Sequence, residues 1–368
     1  MRIGIIGAGQ LGQMLGFAAR DLDLSCHFID PSVSPPAAQA GPVVQAAFDD
    51  SQALATLADT CDVVTYEFEN VPVTALLEIA DRVPVYPPPD ALRHAQDRLA
   101  EKQLFEMLDI PLPAYQAIDS IANLNEAAAA IGLPLVIKTR RLGYDGKGQF
   151  VLRHLDAIET AWRTLGQADL IAEQWVDFDS EVSAIGVRNV DGDIVTYPLT
   201  RNEHIDGMLR VSRAPVENPV LTRHAERYVR KLLDNLDYVG VLTLELFVVG
   251  DELFANEFAP RVHNSGHWTI EGAATSQFAN HLLAIANRPL QSSQIRGYAG
   301  MINLIGRIPD AARRLKVGQL HDYGKPPRRG RKLGHITTVA DSAAERDRIL
   351  AVIERTVTQS TRQSGTGT

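Results

Sequence analysis

Apolar and polar positions follow two rhythms along the chain. Short, nearly unbroken apolar runs at 3–7 (IGIIG), 24–30 (LSCHFID) and 61–66 (CDVVTY) alternate with helical stretches such as 10–20. Such runs predict strands buried on both faces, and hence a parallel α/β sheet. Four prolines in 84–90 (PVYPPPD) end this pattern, and a helix is expected from about residue 90 to 108. A second α/β region follows, with strands at 134–139 and 170–176 and a glycine loop at 141–149 between them. Residues 181–188 and 194–199 alternate like antiparallel strands, and 222–236 reads as an amphipathic helix. Residues 241–249 (VLTLELFVV) and 252–258 (ELFANEF) flank Gly250-Asp251, which predicts a hairpin. A small region closes the fold at 296–355, and the polar tail from 356 to 368 is expected to be unstructured.

Composition narrows the class. With 368 residues, 45% apolar and 22% charged, the chain suits a globular enzyme of two or three domains. The net charge of −9 speaks against nucleic-acid binding. No apolar run reaches the roughly 18–20 residues of a membrane span. The chain enters a strand at once, so no signal peptide is expected. Cys26 and Cys61 make neither a disulfide framework nor a zinc site, which fits a cytoplasmic location.

Several segments carry chemistry. Gly7-Ala8-Gly9-Gln10-Leu11-Gly12 follows a strand and opens a helix, and Asp30 closes the next strand. That arrangement matches a dinucleotide fingerprint, yet the same turn suits a ribose phosphate, or simple strand–helix packing. Lys138 lies on an apolar strand before Gly143, Gly146 and Gly148. A buried lysine needs an anionic partner, and glycine-loop amides can cover the same anion. A surface turn beside a snorkelling lysine is the alternative. In the hairpin, Glu245 falls opposite Asn256 or Glu257. Two facing carboxylates repel unless a cation lies between them, and magnesium takes one or two carboxylates with phosphate oxygens. A one-residue slip would send them to opposite faces. Arg261, His263 and Asn264 follow directly. Arg261 suits neutralisation of a transferring group and His263 a role as acid, base or donor, although Asn264 or Ser265 could instead cap a helix.

In this order the pieces resemble the ATP-grasp superfamily. IGIIGAGQLGQML, YEFENVP, RLGYDGKGQ, PLTRNEHIDGMLR, NEFAPRVHNSGHWT and MINLIG are similar to the N5-carboxyaminoimidazole ribonucleotide synthetases within it. The resemblance spans roughly 1–350 and implies an α/β ATP-grasp fold: a Rossmann-like domain at 1–90, an ATP-grasp domain at 91–295 with a mobile lid at about 112–176, and a small β-rich domain at 296–355. It implies an ATP- and bicarbonate-dependent ligase that carboxylates 5-aminoimidazole ribonucleotide through carboxyphosphate in purine biosynthesis. ATP and magnesium are its cofactors, and family members are commonly homodimers. For ATP it implies Arg98, Lys138, Gly143, Tyr144, Asp145, Gly146, Lys147, Gly148, Gln149, Glu173, Gln174, Trp175, Val176, Glu181, His204, Asn256 and Glu257. Glu173 and its neighbours would meet adenine, and Glu181 the ribose. Glu245 and Glu257 would hold magnesium. Arg261, His263 and Asn264, with Tyr144 and Asp145, would serve the carboxylation. Gln10, Leu11, Glu67, Asn70, Lys325, Arg331 and Lys332 would bind the imidazole ribonucleotide. The basic cluster around Lys325 is otherwise an ordinary solvated run.

Overall fold

The computed structural model describes residues 1–143, 148–166 and 169–363. Strands β1 (Arg2–Ile6), β2 (Ser25–Asp30), β3 (Val43–Gln45) and β4 (Val63–Tyr66) form a parallel sheet in the order β3-β2-β1-β4. β1 and β4 are covered on both faces, which accounts for their unbroken apolar runs. The helix Gln10–Asp21 leaves the glycine turn and packs on the helix Gln277–Ile285. Met14 and Leu15 thereby share one core with Trp268, Phe278 and Leu282.

Strands β5 (Tyr115–Ile118), β6 (Leu135–Thr139), β7 (Gln149–Leu152) and β8 (Leu170–Gln174) form an antiparallel sheet in the order β5-β8-β6-β7. This lid-like unit has its own core, in which Leu124 and Ala127 pack with Ile137, Leu152 and Leu170.

The largest sheet has nine strands. These are β9 (Ser180–Arg188), β10 (Ile194–Thr196), β11 (Thr200–Ile205), β12 (Met208–Ala214), β13 (Gly240–Val249), β14 (Glu252–Ala259), β15 (Tyr298–Ile305), β16 (Gln319–Asp322) and β17 (Lys332–Ala340). Their order is β14-β13-β9-β11-β12-β15-β17-β16, with β10 on β9. The C-terminal region thus continues the central sheet and does not close a sheet of its own. Adding β15 to β12 satisfies backbone groups that an open edge would leave unpaired.

Two expectations need correction. The single helix expected over 90–108 is two, Pro89–Ala95 and Arg98–Met107. The break comes at Gln96-Asp97. The Asp97 carboxylate accepts the Leu99 N–H at 3.0 Å and so caps a new helix, while Arg140 holds its oxygens at 3.0 and 2.7 Å. Residues 357–363 are not an unstructured tail but the last turns of the helix Ala343–Gln363. Leu350 and Ile353 anchor that helix on β15 and β17, and Val357 still touches the same core. Residues 364–368 lie outside the described residues.

Candidate active site

The helix Arg98–Met107 lies where the lid sheet meets the central sheet. Three cations gather there. Lys138, at the end of β6, donates to Glu173 at 2.9 Å. Lys102 is fully buried, lies 3.6 Å from the same carboxylate, and donates to the Asn256 carbonyl at 2.5 Å. Arg98 donates to Glu257 at 3.1 Å and to the Gly143 carbonyl at 3.1 Å. Burial pushes Glu173 up, but Lys102 and Lys138 outweigh it and hold the carboxyl down at about 2. Lys138 is itself lowered, first by burial; its bond to Glu173 only partly offsets that, and Lys102 and Arg98 repel it. Three cations against two carboxylates, Glu173 and Glu257, leave positive charge available to a polyanion.

The hairpin settles the pairing that the sequence leaves open. Gly250 takes φ +60°, the first turn position that glycine fills cheaply, and Val249 then pairs with Glu252. Counting back from that turn, Glu245 would face Asn256. A bulge between Glu245 and Leu246 shifts the register, so Glu245 faces Glu257 and both carboxylates share one face. Burial and the neighbouring Glu257 carboxylate raise Glu245 to about 7. Glu257 goes the other way: burial raises it, but Arg98 and Lys138 bring the net below the ordinary carboxylate range. Beside the pair, His204 Nδ1 meets Glu181 at 2.7 Å. Burial lowers His204, but Glu181 and Glu245 outweigh it and hold the imidazole above its ordinary value.

A buried hydrogen-bond ladder reaches the pair along the same face of the sheet. Ser212 Oγ donates to Asn202 at 2.8 Å, Asn202 Nδ2 donates to Ser183 at 3.1 Å, and Ser183 Oγ donates to Ser265 at 2.8 Å. Ser265 meets His263 Nδ1 through its hydroxyl at 2.9 Å and its backbone N–H at 3.3 Å. A backbone N–H can only donate, so Nδ1 accepts and the proton sits on Nε2. That Nε2–H faces Glu245 at 3.1 Å. Burial, then Arg261 and Lys332, hold His263 well below its ordinary pKa, so the ring is neutral. Asn264 forms a reciprocal amide pair with Asn303, at 3.1 and 2.7 Å.

The glycine turn is occupied by the protein's own acids. Asp30 accepts the Ala8 N–H at 2.8 Å, and Glu67 accepts the Gly9 N–H at 2.7 Å. A Cβ on Gly7 or Gly9 would come within 2.8 Å of Glu67, so these glycines make room for a carboxylate. A pyrophosphate would have to displace both acids, which removes the dinucleotide reading. The amides of Gln10 and Leu11, in the first helical turn, have no carbonyl partner within the helix. Lys325 reaches over from the C-terminal region to Gln10 Oε1. Arg261 joins this corner to the hairpin: it pairs with Glu69 at 2.8 Å and also acts on Glu67.

Residues 1–96 match the ribonucleotide synthetase preATP-grasp domain, 103–278 the ATP-grasp domain, and 299–348 the phosphoribosylaminoimidazole carboxylase C-terminal domain. The chain is 48% identical over 355 residues to an N5-carboxyaminoimidazole ribonucleotide synthase of Pseudomonas aeruginosa, covering 96% of this chain and 98% of that one. The chain belongs to the N5-carboxyaminoimidazole ribonucleotide synthase family. A synthetase structure from Thermus thermophilus superposes with a TM-score of 0.92 at 46% identity, covering 96% of this chain and 98% of that one. A synthase structure from Aspergillus clavatus, in complex with ADP and 5-aminoimidazole ribonucleotide, superposes at 0.90 and 32% identity, covering 97% and 98%.

Two groups of the expected residues converge. Arg98, Lys138, Gly143, Glu173, Asn256 and Glu257 meet at the lid seam, and Glu181, His204, Glu245 and His263 line the adjoining sheet face. The Glu173 side chain turns its Oε2 to Lys138 and Lys102. The Gln174 N–H already bonds the Ala114 carbonyl and the Trp175 N–H the Pro134 carbonyl, which leaves the Val176 amide. Gly148 precedes β7, Gln149 opens it, and both are exposed, as is Asn70. Tyr144, Asp145, Gly146 and Lys147 lie outside the described residues. Arg331 bonds the Pro326 carbonyl at 3.3 Å and acts on Lys325. Lys332, at the start of β17, acts on Glu245, His204 and His263 as well as Lys325, and so faces the hairpin as much as the glycine turn. Sequence reasoning passed over Lys102, Glu69 and the ladder of Ser183, Asn202 and Ser212. Lys102 carried one usable signal, its place one helical turn after Arg98.

Proposed function

We propose that this synthase runs two linked transfers at the seam of its sheets, making N5-carboxyaminoimidazole ribonucleotide from 5-aminoimidazole ribonucleotide with ATP as a step of purine biosynthesis. In the first, a bicarbonate oxygen attacks the γ-phosphorus of ATP and ADP departs, giving carboxyphosphate. In the second, the exocyclic amine attacks the carboxyl carbon, the bond to phosphate breaks, and the amine gives up a proton.

The observation that carries this reading is the pair of anion sites joined by one loop. Arg98, Lys102 and Lys138 surround the first, and Lys325 with the amides of Gln10 and Leu11 frames the second. Arg261 and His263 stand between them. Their donors suit the charge that builds on a transferring phosphoryl or carboxyl group. The Val176 amide offers a donor to the adenine edge, and Glu181 an acceptor to ribose hydroxyls. Lys325 takes the substrate phosphate.

The donor set fits magnesium. Glu245 and Glu257 face each other and repel, and among the described residues no three His, Cys, Asp or Glu could hold a metal by themselves. An ion held here would therefore draw its remaining ligands from phosphate and water. Bound there, magnesium would neutralise charge on the β- and γ-phosphates. We also infer a cytosolic homodimer, which light scattering of the purified chain would test.

The deciding assay is ADP release. It should depend on the aminoimidazole ribonucleotide and be stimulated by bicarbonate. Absence of ADP with both present would refute the reading.

A further inference from the structure

β14 is an edge strand, so its outward N–H and C=O groups have no strand to pair with. The helix Arg98–Met107 covers that edge and touches three successive residues of it. Arg98 Nη1 donates to the Glu257 carboxylate at 3.1 Å. Lys102 Nζ donates to the Asn256 carbonyl at 2.5 Å. Glu101 Oε1 accepts the Phe258 N–H at 2.7 Å. Positions 98, 101 and 102 fall on one helical face. Glu101 and Lys102 are both buried, and their hydrogen bonds go to backbone.

These backbone groups flank Glu257, the residue that the bulge brings opposite Glu245. Without the bulge Asn256 would take that place. A bulge left to itself is a soft feature, because the extra residue forfeits ladder bonds. Here the helix holds backbone groups on both sides of Glu257.

We propose that Glu101 and Lys102 are positioning residues for the metal carboxylates: they lock the register in which Glu257, not Asn256, faces Glu245. Neither touches substrate through this role. Lys102 also lies against Glu173, the partner of Lys138, so one ammonium ties the carboxylate strand to the phosphate lysine. The proposal rests on the reading of Glu245 and Glu257 as a magnesium pair, and the test separates the two.

Calorimetric binding of ADP with and without magnesium is measured on the full chain and on Glu101→Gln, Glu101→Met, Lys102→Met and Glu257→Gln, with melting temperatures recorded alongside. Magnesium should tighten ADP binding to the unaltered chain, and Glu257→Gln should abolish that gain. Glu101→Met and Lys102→Met should weaken magnesium's effect by about 10- to 100-fold, the range for residues that orient metal ligands. Glu101→Gln still offers an oxygen to the Phe258 N–H and should retain the gain. An unchanged magnesium effect in Glu101→Met and Lys102→Met, with its loss in Glu257→Gln, overturns the clamp and leaves the metal pair standing. An unchanged effect in Glu257→Gln removes the metal pair and the clamp with it. If Lys102→Met fails to fold, the two Glu101 variants, which differ in the accepting oxygen, decide.

Discussion

Lys325 shows how a single side chain can set a pH limit on substrate binding. Burial lowers its ammonium to about 8; Glu67 opposes the shift, and Arg331, Lys332 and Arg328 reinforce it. The charge is present below that value and fades above it. KM for the imidazole ribonucleotide should therefore climb as pH passes through about 8, while KM for ATP stays level. Lys325→Met should raise KM at neutral pH by about 10- to 100-fold, the loss expected for a hydrogen bond to a charged group, and flatten the alkaline rise. Initial-rate kinetics across pH 6–10 would check both. Stability responds with the opposite sign. From about 8 to the ordinary 10.5 the unfolded chain binds more protons at this site, so this group's contribution to unfolding free energy rises with pH. Glu173 acts at the acid end. Its carboxyl lies at about 2 against an ordinary 4.5, so its pairing stabilises fully above 4.5 and is lost as pH falls towards 2. Glu257→Gln tests the same seam by chemistry. It should cut turnover by orders of magnitude while circular dichroism stays unchanged, because the substitution keeps the shape and removes the charge.

At the level of elements, the Ser212–Asn202–Ser183–Ser265 ladder joins three neighbouring strands to one loop, and its direction agrees with the Nε2 proton that the Ser265 N–H fixes on His263. Asn202→Asp gives Ser183 an acceptor in place of a donor. Ser183 then turns its hydroxyl to that acceptor and stops donating to Ser265, while the Ser265 N–H still donates to Nδ1 and keeps the proton on Nε2. Nitrogen-15 shifts of the His263 ring should report the same tautomer, and kcat should fall about 2- to 10-fold, the worth of one hydrogen bond. KM for ATP should change little. An exchanged tautomer would show that the ladder, and not the Ser265 N–H, places the proton. This element also marks the limit of what the sequence reveals. The parallel first sheet, the hairpin and its Gly250 turn were legible because burial on both faces and turn chemistry leave local signatures. The bulge was not. Asn256 and Glu257 are adjacent acceptable partners for Glu245, and the choice between them lies in Glu101 and Lys102, more than 150 positions away. Nor did any local pattern distinguish Ser183 or Asn202, whose meaning comes from cross-strand neighbours. The glycine turn was legible as a strand-to-helix turn but not in what its amides hold, since Glu67 must be seen at the Gly9 amide to exclude a pyrophosphate.

Across the whole molecule, the substrate corner depends on bringing residues 10 and 325 together, and the nine-stranded sheet does this. β15, β17 and β16 extend the central sheet, so Lys332 at the start of β17 and Lys325 just before it are carried by the same rigid layer as Glu245. The helix Ala343–Gln363 braces that extension. Leu350 sits on Gly300, where a Cβ would come within 2.8 Å of it, and is almost fully buried with Ile353. Leu350→Ala removes apolar volume from this contact and should cost about 2–5 kcal/mol of stability. The loss should not fall evenly on the two substrates. The lid sheet has a separate core, and the Arg98–Lys102–Lys138 cluster does not touch the C-terminal helix, so ATP affinity should persist in the folded fraction. Loosening of β15 and β17 instead displaces Lys325 and Lys332 together. Below the melting temperature of the variant, KM for the imidazole ribonucleotide should therefore rise several-fold more than KM for ATP, a split that steady-state kinetics would resolve. Equal shifts in both constants would mean that the C-terminal strands do not hold the substrate corner independently of the nucleotide seam.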